Sequence, residues 1–243
     1  MTEKILFLPI RKKLNKMAKK IEENEEVLVD VQEVYSKTET FIDDNKNILT
    51  SVIVVLIVAI AGYFAYSSLY LGPLEGEARE EMFMAEKYFR LDSFNLAIDG
   101  RDDFAGFIEI SDKYGSTKAG DLANYYLGMS FLNIGEFKSA IDALNQFDGD
   151  DEMLATLAIG AKGDALLELD NVDKAINQYE KAAGRNPNQF TTPMFLMKAA
   201  QAQELAGDFS DAVDNYTKIK KEYKNSSEAS NIEKYLARAE SQL

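Results

Sequence analysis

The densest set of groups that could do chemistry is FDGDDE, residues 147–152, with four carboxylates in six positions. Such a stretch invites comparison with a calcium loop. A calcium loop alternates its oxygen ligands and closes with a distant Glu, and this stretch does neither. Acidic side chains ahead of a helix favour its positive N-terminal end, which accounts for them without a metal. No pair of carboxylates has a spacing that asks for acid–base work. The chain has no Cys and no His, which removes thiol nucleophiles, disulfides, Ser-His-Asp catalysis and the usual zinc sets together. The expectation is a protein that is not an enzyme, with no metal, no cofactor and no small-molecule substrate. The net charge of −14 has the wrong sign for a nucleic-acid binder.

One segment has no charge at all. NILTSVIVVLIVAIAGYFAYSSLYLG, residues 47–72, lacks Asp, Glu, Lys and Arg in a chain that is 28% charged. A helix of about 20 residues crosses a hydrocarbon core of about 30 Å, so residues 48–71 suffice for one transmembrane helix. A soluble core helix rarely stays apolar on every face for so long. A cleaved signal peptide would be shorter and closer to the start. Tyr63, Tyr66 and Tyr70 gather at the C-terminal end, where amphipathic rings suit a headgroup interface. The 47 residues before the span carry nine Lys or Arg, six of them in RKKLNKMAKK, residues 11–20. Basic residues are retained on the cytoplasmic side. The tail is therefore expected in the cytoplasm and residues 72–243 across the membrane, in a bacterium the periplasm.

After residue 120 three segments share one grammar: 121–147, 156–187 and 193–223. Each reads as an amphipathic helix, a turn and a second amphipathic helix. The turns are Gly135-Glu136-Phe137, Asp170-Asn171-Val172 and Gly207-Asp208-Phe209. Each leads into a helix with Ala140, Ala175 or Ala212, and four residues later comes Leu144, Tyr179 or Tyr216. One supersecondary unit repeating at this period is the mark of a helical solenoid. Small side chains let helices approach, and the large ones fill the space around them. A fourth, atypical unit is expected over 80–100, followed by an insertion whose Phe104, Phe107, Ile108 and Ile110 suggest one apolar helix face ending near Tyr114-Gly115. Residues 226–243 read as a closing helix with Ile232, Tyr235, Leu236 and Ala239 on one face.

These residues resemble the tetratricopeptide repeat. The family's small residue in the first helix falls on Gly128, Gly163 and Ala200, and its turn glycine on Gly135 and Gly207, with Asp170 in the middle unit. Ala182 and Pro187 make the middle unit the fullest match. The resemblance implies a concave face lined by Tyr125, Met129 and Leu132, then Gly160, Asp164 and Leu167, then Met197, Gln201 and Glu204. Such faces bind peptides or helices of other proteins, for which Met and Tyr are adaptable contacts. At each position packing against the adjacent helix is the competing use. The family's Lys and Asn clamp for a chaperone's C-terminus is not reproduced, since only Lys198 stands at a clamp position.

The tail before the span has its own pattern. Leu14, Met17, Ile21, Leu28, Val31, Tyr35 and Ile42 recur at heptad spacing, with Asn24 and Thr38 as polar interruptions and Val27, Val34 and Phe41 beside them. A heptad sustained this long suggests a helix that packs on a partner helix. The Lys-rich residues 11–20 also suit anionic headgroups.

The expected fold is thus all-α: an amphipathic helical tail (1–47), one transmembrane helix (48–71), an atypical first repeat with insertion (72–120), and an α-solenoid of three repeats with a C-terminal capping helix (121–243). Short tail, single span and translocated repeats, with STKAGDLANYYLG and GEFKSAI (116–141) as the most similar stretch, resemble the YfgM family of bacterial inner-membrane proteins. That resemblance implies an ancillary subunit of the SecYEG-type translocon, with a membrane-anchored periplasmic chaperone of PpiD type as partner. Two alternatives stay open: a scaffold of another envelope machine, such as outer-membrane protein assembly or a secretion system, and a membrane sensor that dimerises through its tail.

Overall fold

The computed structural model describes the backbone of residues 8–243 and the side chains of residues 37–243. The chain divides into two units, Met1–Ala65 and Tyr66–Leu243. The described residues of the first unit lie in helix α1, Leu8–Tyr66, whose last residue opens the second unit. The segment of α1 from Val52 to Ile60 exposes every large apolar side chain by half or more. A helix this long and apolar is compatible with a single-pass membrane anchor.

After Tyr66 the second unit has a π-helical turn, Ser67–Leu71. It continues through α2 (Gly72–Arg90), α3 (Phe94–Asp99), α4 (Phe107–Tyr114), α5 (Lys118–Asn133), α6 (Phe137–Gln146), α7 (Glu152–Glu168), α8 (Val172–Arg185), α9 (Thr191–Ala206), α10 (Phe209–Glu222) and α11 (Ile232–Glu240). From α4 to α11 each helix packs on the next. The helix pairs α5–α6, α7–α8 and α9–α10 correspond to the three repeating segments.

One turn geometry joins the helices of each pair. Asp92, Gly135, Asp170 and Gly207 are all left-handed, with φ of 53°, 83°, 58° and 86°. In each case the next residue's N–H reaches back five positions: Ser93 to Tyr88 O, Glu136 to Phe131 O, Asn171 to Leu166 O and Asp208 to Gln203 O, all at 2.8–2.9 Å. This double-back satisfies helix-end carbonyls that would otherwise be orphaned. Asp92 shows that α2 and α3 form a pair of the same kind.

The helix starts are set by side chains. Thr117 Oγ1 accepts from Gly120 N at 3.0 Å to begin α5. Asp151 Oδ1 accepts from Met153 N and Leu154 N at 2.8 and 2.9 Å to begin α7. Asn188 Oδ1 accepts from Phe190 N and Thr191 N before α9. Each side-chain oxygen replaces a missing backbone acceptor.

Within a pair, the small residue makes room for the large one. A Cβ at Gly128 would meet Leu144 Cγ at 2.5 Å, and one at Gly163 would meet the Tyr179 ring at 2.6 Å. In the third pair Ala200 and Tyr216 are both fully buried. Between pairs, Gly160 of α7 lies against the ring of Phe195 on α9, leaving no space for a methyl group.

The insertion departs from the expected single helix. Gly100–Arg101 and Phe104–Ala105 form a small antiparallel ribbon, with Gly100 at φ 71°. Phe104 therefore belongs to a strand, stacked on Tyr88 at 5.0 Å, and Ile108 points outward. Helix α4 buries Phe107, Ile110 and Tyr114 instead. Phe107 stacks on Tyr126 of α5 at 5.3 Å, and Phe89 of α2 meets Tyr126 edge-on at 5.1 Å. The insertion thus completes an aromatic core between the first pair and α5.

Candidate functional site

The residues expected on the concave face fall into different environments. Tyr125 of α5 is buried, in an apolar strip between α5, α6 and α7 that also holds Leu144, Ala158 and Ala161. Met129 and Leu132 are half-buried along its edge, with Leu122, Phe147, Leu154 and Leu157. Leu167 of α7 and Met197 of α9 are half-buried against the larger core of α7–α11. Gly160 is buried under Phe195, where its role is close helix packing. Gln201 is exposed.

The charged positions of this set are paired internally. Lys198 Nζ donates to both carboxylate oxygens of Asp164 at 2.7 Å, tying α9 to α7. The Tyr179 hydroxyl donates to Asp164 Oδ1 at 2.8 Å, and Lys198 lies 5.8 Å from the centre of the Tyr179 ring. Burial, reinforced by the charge of Asp164 and its hydrogen bond, pushes the Tyr179 hydroxyl far above its usual range. Glu204 of α9 is bridged by Arg238 of α11 through one carboxylate oxygen, Oε2, with Arg238 stacked over Tyr235 at 5.2 Å. Each pair is 34 residues apart, one repeat period, so an ion pair links consecutive first helices twice. Among the described residues, Glu204 Oε1 and the Tyr216 hydroxyl, both shielded from solvent, find no hydrogen-bond partner.

Sequence reading missed Arg238, and named Tyr235 only as part of the packed face of the closing helix. The signal was present: Arg238 follows Glu204 by the interval that separates Lys198 from Asp164, so α11 continues the row of first helices. It also missed two surface depressions. One, of about 600 Å³, lies between α9 and α11 and is lined by Gln201, Glu204, Leu205, Tyr235 and Arg238. The other, of about 490 Å³, lies where the turn before α5 meets the loop before α7, and includes Leu122, Phe147 and Leu154. Asp121 stands at its wall, where burial and then the charges of Asp148 and Asp150 raise its carboxyl above the usual value, against the Asp148 N–H that it accepts at 2.7 Å.

Repeated helix pairs with left-handed turns, and a small residue facing a large one inside the pair, recur along this unit. The tetratricopeptide repeat matches residues 122–148 and 195–226. These matches support a tetratricopeptide protein, and such repeats suggest a protein-interaction scaffold; tetratricopeptide proteins are typically non-enzymatic. The matched stretches are the pairs α5–α6 and α9–α10, with α7–α8 between them. The middle pair, expected as the fullest match, carries Asp170 at the left-handed turn position where the matched pairs carry Gly135 and Gly207. No curated protein matches the chain.

Of the tail positions, Leu14, Met17, Ile21, Leu28, Val31 and Tyr35 lie outside the residues whose side chains are described. Ile42 is described and is half exposed.

Proposed function

We propose that the chain is a membrane-anchored protein-interaction scaffold whose repeats hold a polypeptide partner near the membrane. One observation carries the reading: two tetratricopeptide matches stand in the same chain as an uncharged apolar stretch, residues 47–72, whose large side chains from Val52 to Ile60 are half exposed or more. Repeats of this kind stack helices into a solenoid whose inner face is left free for another chain. Met129, Leu132, Leu167 and Met197 are half-buried and apolar, as a face that accepts apolar side chains requires.

The orientation follows the basic tail: N-terminus in the cytoplasm, repeats in the periplasm of a bacterial inner membrane. In that compartment the architecture fits an ancillary subunit of the SecYEG-type translocon, receiving a membrane-anchored chaperone of PpiD type or an emerging polypeptide. The support for this finer assignment is the resemblance of residues 116–141 and of the domain order to the YfgM family. The testing experiment is a mild-detergent pull-down through a C-terminal tag, with the co-purifying proteins identified by mass spectrometry. Translocon subunits together with a membrane-anchored chaperone are the expected result. Outer-membrane assembly or secretion components without the translocon would move the scaffold to another machine.

A further inference from the structure

The negative charge of the repeat unit is not evenly spread. Residues 72–171, from α2 through the turn after α7, carry 21 acidic and 8 basic side chains, whereas residues 172–243 carry 10 and 10. The whole excess lies on the first half. Depressions in that half share Leu122 and Lys118: the one of about 490 Å³ between the turn before α5 and the loop before α7, and one of about 280 Å³ against α2. Together they form a groove running from α2 across α5 to α7. Its apolar lining is Leu122, Phe147 and Leu154, all only half-buried and continuous with the strip that holds Met129 and Leu132. The lining cation Lys118 is already paired with Asp150 at 3.0 Å, and Arg79 with Glu75 at 2.7 Å. Asp148 and Glu86 border the same groove, Glu86 paired with Arg90 at 3.4 Å, and the lining carboxylates Glu75, Glu86, Asp121, Asp148, Asp150 and Asp151 outnumber the lining cations Arg79 and Lys118.

We infer that this groove docks a basic amphipathic segment of a protein partner, apolar side chains inward and Lys or Arg at the rim. This rests on the scaffold reading and names the chemistry of its partner. Charge complementarity selects the occupant. Lys and Arg side chains lay their aliphatic stems on apolar surface and present the charged head beyond it, which is the arrangement offered by Leu122, Phe147 and Leu154 within a carboxylate rim. An acidic segment meets repulsion across the whole of α2–α7, which raises the cost of the wrong partner as well as favouring the right one. The half formed by α8–α11 has no such excess and does not contribute to the preference.

The test uses the full chain in nanodiscs of zwitterionic lipid, so that lipid does not compete for basic peptide. A fluorescein-labelled amphipathic peptide of Leu and Lys, and its counterpart with every Lys replaced by Glu, are titrated and followed by anisotropy. The Lys peptide is expected to bind at least about tenfold more tightly, and its advantage to shrink at roughly 0.5 M salt. The surface double variant Asp148→Asn with Asp150→Asn should weaken it several-fold. The matched control Asp208→Asn with Asp211→Asn, in the neutral half, should leave it unchanged. Equal binding of both peptides, or equal loss in the two double variants, overturns the inference. If tagged protein captures translocon or other envelope subunits while the Lys peptide does not bind, the scaffold reading stands and the basic partner falls. If the Lys peptide binds as described and no subunit is captured, the groove assignment stands and the scaffold role falls.

Discussion

Lys198 and Asp164 meet at 2.7 Å through both carboxylate oxygens, one repeat apart. The same Asp164 accepts the hydroxyl of the buried Tyr179. Three elements, α7, α8 and α9, therefore converge on a single carboxylate. Both charged partners are about one-third exposed, so screening holds the ion pair itself to about 1 kcal/mol or less.

The two members of the pair should consequently differ in cost. Lys198→Met removes only the cation and is expected to destabilise by about 1 kcal/mol or less. Asp164→Ala also strands the Tyr179 hydroxyl and should cost about 2 kcal/mol. Thermal unfolding of the detergent-solubilised chain, followed by circular dichroism, orders the two. Equal losses would show that Tyr179 finds another acceptor.

Gly160 offers a packing test. Its missing Cβ is the space occupied by Phe195, so Gly160→Ala should destabilise by about 1–3 kcal/mol through overpacking. Phe195→Leu alone should also destabilise, by emptying part of the core. The double variant should lose less than the sum of the two, because the smaller side chain makes room for the added methyl group. Strict additivity in unfolding measurements would mean that the two residues do not share the space.

Alkaline pH should weaken the repeat unit. Burial, with Asp164 for Tyr179 and Glu204 for Tyr216, raises both hydroxyls above their ordinary 10.0. The folded state thus favours the protonated phenol more than the unfolded chain does. That stability is complete below pH of about 10 and is lost as pH rises towards the raised folded values. Tm should fall through this range, and the fall should be shallower in Tyr179→Phe with Tyr216→Phe. At the acid end the sign reverses. Burial opposes ionisation of Glu81, but hydrogen bonds from Lys113 and Tyr114 outweigh it and hold its carboxyl below the ordinary 4.5. Its contribution is present above about that pH and lost as pH falls through the lowered value, so Glu81→Gln should flatten the acid limb.

Orientation can be read on a chain that has no Cys of its own. Single substitutions Thr2→Cys and Ser241→Cys place a thiol in the tail and after α11. In intact spheroplasts a membrane-impermeant maleimide should label Ser241→Cys, and should label Thr2→Cys only after permeabilisation. The opposite pattern would reverse the proposed topology.

Much of the architecture is written locally in the chain. Gly128 with Leu144 and Gly163 with Tyr179 reveal the helix pairs because close approach needs a small side chain opposite a large one, and spacing alone brings them together. The left-handed turns at Gly135 and Gly207 are legible for a similar reason, since glycine adopts that backbone without strain. Asp170 is less legible, because an Asp there looks like any surface acid until its φ is known. The exclusion of thiol and histidine chemistry, and an apolar run long enough to cross a membrane, also follow from the sequence alone.

What the tertiary structure decided concerns partners far apart in the chain. Asp164 and Glu204 look in sequence like groove ligands, yet each is held by a cation 34 residues on. Whether a charge is free or spent depends on which side chain the fold brings opposite it, and no local pattern encodes that. The ribbon at Gly100–Ala105 could not be told from a helix by its apolar residues, because Phe104 and Phe107 suit either until Tyr88 and Phe89 supply the aromatic surfaces against which they pack. The groove across α2, α5 and α7 exists only when three segments distant in sequence are assembled. Composition set the charge of this protein, and folding determined where an excess of carboxylates over cations surrounds an apolar surface.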